Sequence, residues 1–266
     1  MDAHVIERQF ERMGGRVKVV PARGRNARSD VSIDVGHDAE GEFFEISLGA
    51  QAEPDLRVID VRPDIRHLLL LTEQEDGKHK FLCGHDERHW FVAAVPERAT
   101  VSNVITAFDA LKPRDVHIRE RQLKVKPKKR NRRKNDAFVR QGEWFFVPVQ
   151  PWQRIDQRWV LRNEPINRGG GKPHICEELV RQGGELVYVS PQHPNGLTER
   201  QYEKLISKKP KLKKLAWITQ RRNPGVFVRG KVRHADHKTI CLDGWHQVIM
   251  NTETESVAMR HVAFID

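Results

Sequence analysis

Four side chains near the C-terminal end have the types and spacing to do chemistry together. Between Phe227 and Thr252, the turn sequences Ala235-Asp236 and Asp243-Gly244 divide the chain into three short strands. That register sets His234 opposite His237 and Cys241 opposite His246. Alternation then places His234, His237, Thr239, Cys241, His246 and Val248 on one face, with Ile240, Leu242, Trp245 and Ile249 on the core face. A cysteine across from a histidine can form a thiolate–imidazole pair for nucleophilic catalysis. His237, Cys241 and His246 are therefore the candidate catalytic residues. No third group or oxyanion hole accompanies them in the sequence.

The same donors would suit zinc. His237 and Cys241, however, stand about 13 Å apart along one strand, and zinc bonds reach only about 2.0–2.3 Å. The two pairs cannot share one ion. Cys83, His85 and His89 form a second donor group, and His174-x-Cys176 a third. No spacing matches a finger or ribbon, so no metal ligand is assigned and no cofactor is expected, zinc being the ion such donors would take. His234, Asp236, His237, Asn251 and His261 follow the residue order of a His-Asn-His nuclease, but at the wrong spacing.

Charge points to a polyanion. The 266 residues carry 47 Lys or Arg against 36 Asp or Glu, a net charge of +11. Leu123–Lys134 and Lys204–Arg222 each hold eight basic residues and no acid, so the rest of the chain is mildly acidic. Each cation that neutralises a phosphate releases counterions and gives salt-dependent affinity. The expected contacts are Lys124, Lys126, Lys128, Lys129, Arg130, Arg132, Arg133 and Lys134 in the first run. Lys211, Lys213, Lys214, Arg221 and Arg222 follow in the second. Arg16–Arg28 is a weaker basic stretch. Asn167-Arg168-Gly169-Gly170-Gly171-Lys172 leads into Pro173, which reads as a helix start, so Arg168 and Lys172 join the list as an anion site. The loop lacks the second glycine-lysine-hydroxyl element of a nucleotide-hydrolysing P-loop. Trp152, Trp159 and Trp217 lie near arginines, an arrangement on which single-strand binders stack bases, and read as core residues of short strands.

These residues need a scaffold. Hydrophobic residues are 38% and charged residues 31% of the chain. The longest apolar run, Leu68–Leu71, cannot span a bilayer. Met1–His4 does not begin a secretory signal. Three cysteines without a C-x-x-C point to a reducing cytoplasm. The pattern predicts a helix over 2–13, strands at 16–20, 31–35, 42–48, 56–61, 67–72, 78–83 and 90–95, then a helix capped at Thr100. A basic linker over 113–134 follows, with helical content in Val116–Leu123. A short helix over 135–141, strands at 143–149, 158–162 and 185–189, a helix from Pro173, and a helix begun by the Thr198/Gln201 capping box complete the reading. Helix–Gly-Gly–strand recurs around Gly14-Gly15 and Gly183-Gly184, with Val-Arg-Gln-Gly shared by 139–142 and 180–183.

The fold expected is α+β, two mixed halves of short antiparallel strands and helices (1–112 and 135–266) joined by that linker, with a C-terminal three-stranded meander. The function expected is a cytoplasmic nucleic-acid-binding protein, DNA or RNA, with no membrane partner. The alternatives are a nuclease or other hydrolase using the His/Cys face, and an adaptor for an acidic protein.

Overall fold

The computed structural model describes residues 3–22, 31–49, 55–74, 77–97, 99–168 and 171–256. Arg23, Arg25, Arg28, Gly169, Gly170 and His261 lie outside the described residues. The fold is α+β and dominated by sheet, at 49% strand against 23% helix.

Helix α1 (Ala3–Arg12) buries Ile6 and Phe10, one turn apart on one stripe, together with Met13 just beyond it. Gly14 ends it at φ +80°, a left-handed conformation suited to glycine. β1 (Val17–Pro21) then runs parallel to β3 (Gly41–Leu48), which pairs antiparallel with β2 (Val31–Asp38). A four-stranded antiparallel meander follows: β4 (Asp55–Arg62), β5 (His67–Gln74), β6 (Gly77–Asp86) and β7 (His89–Val95). Leu68 and Leu70 of β5 pack with Phe10, Ile33, Phe44 and Phe81. Leu69 faces the other way, under α2 (Val104–Leu111) with Leu82, Val104 and Ala107. The unbroken apolar run of β5 is thus a strand covered on both faces. The cap of α2 is Asn103, paired reciprocally with Thr106, rather than Thr100.

The segment 113–134 is folded, and its expected helical stretch is present. It carries α3 (Arg114–Gln122) and α4 (Pro127–Arg130). Val116 and Val125 are buried with Ala137, Phe138, Phe145 and Val147. Lys112, also buried, places Nζ 2.9 Å from Asp109 and 3.1 Å from the buried Glu120.

The C-terminal half is a six-stranded antiparallel sheet. Its members are β8 (Val139–Gln141), β9 (Trp144–Pro148), β10 (Leu161–Ile166), β11 (His174–Gln182), β15 (Gly225–Arg233) and β16 (Ile240–Met250). They lie in the order β10-β11-β15-β16-β9-β8. Between β11 and β15 the chain makes a smaller sheet from β12 (Glu185–Ser190), β13 (His193–Thr198) and β14 (Ile218–Arg222), with α5 (Glu199–Lys208). Thr198 and Gln201 form the capping box of α5 as the sequence predicts.

Several local expectations are corrected. Pro173 immediately precedes strand β11 rather than starting a helix, and 139–141 is strand, not helix. Gly183-Gly184 therefore joins two strands, and the recurring helix–glycine–strand unit is not repeated there. Asp243-Gly244 is not a hairpin turn. β16 runs straight through it with a bulge opposite Val228–Gly230, and Gly244 takes φ +87°. The real turn is the loop 234–239, so the C-terminal strands are two rather than a three-stranded meander, and β9 supplies the third partner. Trp152 and Trp159 are exposed, at 78% and 67%, where core positions are expected.

Candidate functional site

The straightened β16 dissolves the expected Cys241–His246 pair. Cys241 faces Lys231 across the sheet and is exposed, while His246 faces Val228 and Pro148 and is buried. His246 Nδ1 lies 3.0 Å from the Gly244 carbonyl. Cys83 and Cys176 are buried in the two cores, and burial pushes the Cys176 thiol up to about 12. A thiol held protonated is a poor nucleophile. Cys83, His85 and His89 do not converge either: His85 packs edge-on to Trp90, and His89 Nδ1 meets Glu42 at 2.5 Å.

The histidines regroup instead. Ile175 of β11 pairs with Arg233 of β15, which brings His174 beside His234 one step beyond the ladder. His234 Nδ1 accepts the Asp236 backbone N–H at 3.1 Å, curling the loop back so that His237 returns to the same place. The ring centroids are 4.2 Å apart for His174 and His234, 4.8 Å for His234 and His237, and 5.7 Å for His174 and His237. One nitrogen from each ring lies within 4.8 Å of the others.

Burial disfavours the charged form of two of these rings. His174 is 2% exposed, and burial, reinforced by His234 and His237, pushes it down to about 3. Burial also lowers His237, against the opposing pull of Asp86. Neither His174 nitrogen has a hydrogen-bond partner, and neither has His237 Nδ1. Glu87 stands 3.8 Å from that Nδ1 and accepts the Lys238 N–H at 2.5 Å. Sequence reasoning held His234 and His237 but missed His174 as their partner. The signal was there in Pro173-His174, once 174–182 is read as a strand beside 225–233.

A cavity of about 300 Å³ opens beside this cluster, lined among others by Arg130, Arg132, Arg168, Lys172, Asp236 and His237. Residues from the first basic run, the glycine-rich loop and the histidine loop thus meet at one place. Their charges are not equally available. Arg168 is buried against Glu253, and Lys172 meets Asp236 at 2.8 Å. Arg133 is held by Asp86 and Glu87, and Arg222 by Glu185. Arg221 donates to the Gly183 and Gly184 carbonyls at 3.4 Å. With no helix after Pro173, the glycine-rich loop has no helix dipole to offer an anion.

By contrast, Lys124, Lys126, Lys128, Arg132 and Lys134 are exposed, and Lys129 is half-exposed. Among the described residues none of these six is engaged by a carboxylate. Lys211, Lys213 and Lys214 are likewise exposed, on the 3-10 turn Pro210–Lys214 after α5. No helix of the described residues is long and apolar enough to cross a membrane. Comparison with known proteins finds no matching family, no similar curated protein and no similar solved structure.

Proposed function

We propose that the protein binds the phosphate backbone of a nucleic acid along the segment 124–134, with Arg130 and Arg132 at the cavity. One observation carries this reading. Packing and ion pairing neutralise Arg133, Arg168, Lys172 and Arg222, yet leave a contiguous set of uncompensated cations on one ordered segment. Self-repulsion among such charges is relieved by a polyanion. The exposed Trp152 and Trp159 add ring faces suited to stacking on unpaired bases. Arg119 of α3 donates to Gln150 at 3.1 Å, which ties the Trp152 loop to the basic segment.

The test is fluorescence anisotropy of the full chain with labelled single- and double-stranded DNA and RNA across salt. Affinity should fall steeply with salt, with a log–log slope near −0.9 per phosphate contacted on duplex DNA. Replacing Lys124, Lys126, Lys128 and Lys129 by Gln should flatten that slope by roughly 3–4. Affinity independent of salt, or unmoved by the four replacements, sinks the reading. Stoichiometric capture of an acidic protein in place of nucleic acid would move it to the adaptor class.

A second reading is phosphodiester hydrolysis, favoured by His237 lining the same cavity as Arg130 and Arg132. It requires turnover that His237→Ala abolishes while nucleic-acid affinity persists.

A further inference from the structure

We propose that His174, His234 and His237 together hold one divalent transition-metal ion of the zinc class. The inference stands on the geometry of these rings and does not depend on nucleic-acid binding.

The three residues come from two separate parts of the chain, the start of β11 and the loop between β15 and β16. Their ligand-capable nitrogens lie within 4.8 Å of one another. At zinc–nitrogen bonds of 2.0–2.1 Å, two nitrogens on one tetrahedral ion sit roughly 3.3 Å apart. Closing from 4.8 Å takes small ring rotations, not a rearrangement of the sheet.

Hydrogen bonding within the cluster is incomplete. A neutral imidazole carries one donor and one acceptor, and buried ones ordinarily use them. His174 is 2% exposed and uses neither, while His237 leaves Nδ1 unused. Three neighbouring imidazoles each offer a ring-nitrogen lone pair, which a cation with vacant orbitals accepts. The all-nitrogen donor set favours zinc, cobalt, nickel or copper over magnesium or calcium, which take oxygen.

The supporting contacts fit ligation. Gly142 lies against the site at φ +57°, and a Cβ there would come within 2.9 Å of His237 Nε2 and 3.7 Å of His174 Nε2. The glycine leaves the space beside both Nε2 atoms free of a side chain. With His237 ligating through Nε2, its Nδ1 faces Glu87 at 3.8 Å, the carboxylate partner that a metal-bound histidine commonly has. His234 Nε2 lies 3.1 Å from the Lys172 carbonyl. Ligation through His234 Nδ1 would keep that contact and exchange the Asp236 N–H for the ion. Three histidines leave a fourth position for water, as in catalytic rather than structural zinc sites.

The test uses the full chain stripped with a chelator and dialysed. Cobalt(II) is added and its visible d–d absorption followed, zinc(II) is titrated by calorimetry, and metal content is measured after gel filtration. The expected result is one ion per chain, with intense tetrahedral cobalt bands that zinc displaces. His237→Ala and His234→Ala should each weaken affinity by more than about 100-fold, and the exposed His37→Ala should leave it unchanged. His234 and His237 both lie in the loop 234–239, outside the sheet ladder, so either replacement spares the core; circular dichroism checks both. No stoichiometric ion in the wild-type chain overturns the proposal. So does an ion whose affinity survives in a folded His234→Ala chain, or falls equally in His37→Ala.

Discussion

His67 and His174 are both buried histidines at the start of a strand, one in each half of the molecule, and they differ in what surrounds them. His67 opens β5. Its Nδ1 lies 2.5 Å from the Ile65 carbonyl and its ring packs on Phe91 and Phe108. His174 opens β11 with neither nitrogen bonded, its ring stacked on two other imidazoles. Burial lowers the affinity of both for protons, to about 4 for His67 and about 3 for His174. Burial alone therefore does not distinguish a structural histidine from one that awaits a ligand. The partners do. A buried polar group with its bond made belongs to the fold, and one left unmade is a cost the fold carries for another reason.

Four measurements test that contrast. The largest effect concerns a buried carboxylate whose closest cation is Lys112. Lys112→Ala strands the Glu120 carboxylate in the interior, and denaturant unfolding should show a loss of about 3–5 kcal/mol. Next comes the proton affinity of His67. An unfolded histidine takes a proton near 6.5, while folded His67 resists to about 4. The stability its neutral form confers is full above 6.5 and is lost as pH falls toward 4, on the order of 3 kcal/mol. In His67→Leu the part of the pH dependence due to this residue should vanish.

A smaller effect tests the same pocket sterically. A Cβ at Gly84 would stand 2.2 Å from the His67 ring, with both strands fixed by their ladder. Gly84→Ala should cost about 1–3 kcal/mol in urea unfolding. The smallest change is the most diagnostic. In metal-free protein, His174→Leu removes unpaired polar atoms from the interior, so unfolding stability should stay within about 1 kcal/mol of wild type or rise. A loss above about 3 kcal/mol would mean that His174 has bonding that the contrast denies it.

Much of the scaffold was legible along the chain. Ile6 and Phe10 marked α1, and Thr198 with Gln201 marked the start of α5. The strands of the first meander lay close to their expected bounds, because each reports its own alternation over a few residues. The failures came where local rules were silent or ambiguous. Pro173 suits a helix start and a strand start equally, and the sheet around β11 chose the strand. Asp243-Gly244 has turn chemistry, but the Gly244 conformation that serves a turn also serves a bulge, and pairing of β16 with both β15 and β9 kept the strand running. The basic segment 113–134 lacked periodicity because Val116 docks from α3 and Val125 from the turn between α3 and α4.

The sequence by itself determined the element types wherever capping or alternation was strong, and it determined the two concentrations of positive charge. Those properties are carried by neighbours a few residues apart. Tertiary structure alone decided which charges remain available, since Arg133, Arg168 and Lys172 are claimed by Asp86, Glu253 and Asp236. It also decided which histidines meet, since the register of β11 on β15 places His174 by His234. Ion pairs and strand register link residues tens of positions apart. Their outcome depends on how the whole sheet closes, which no local pattern encodes.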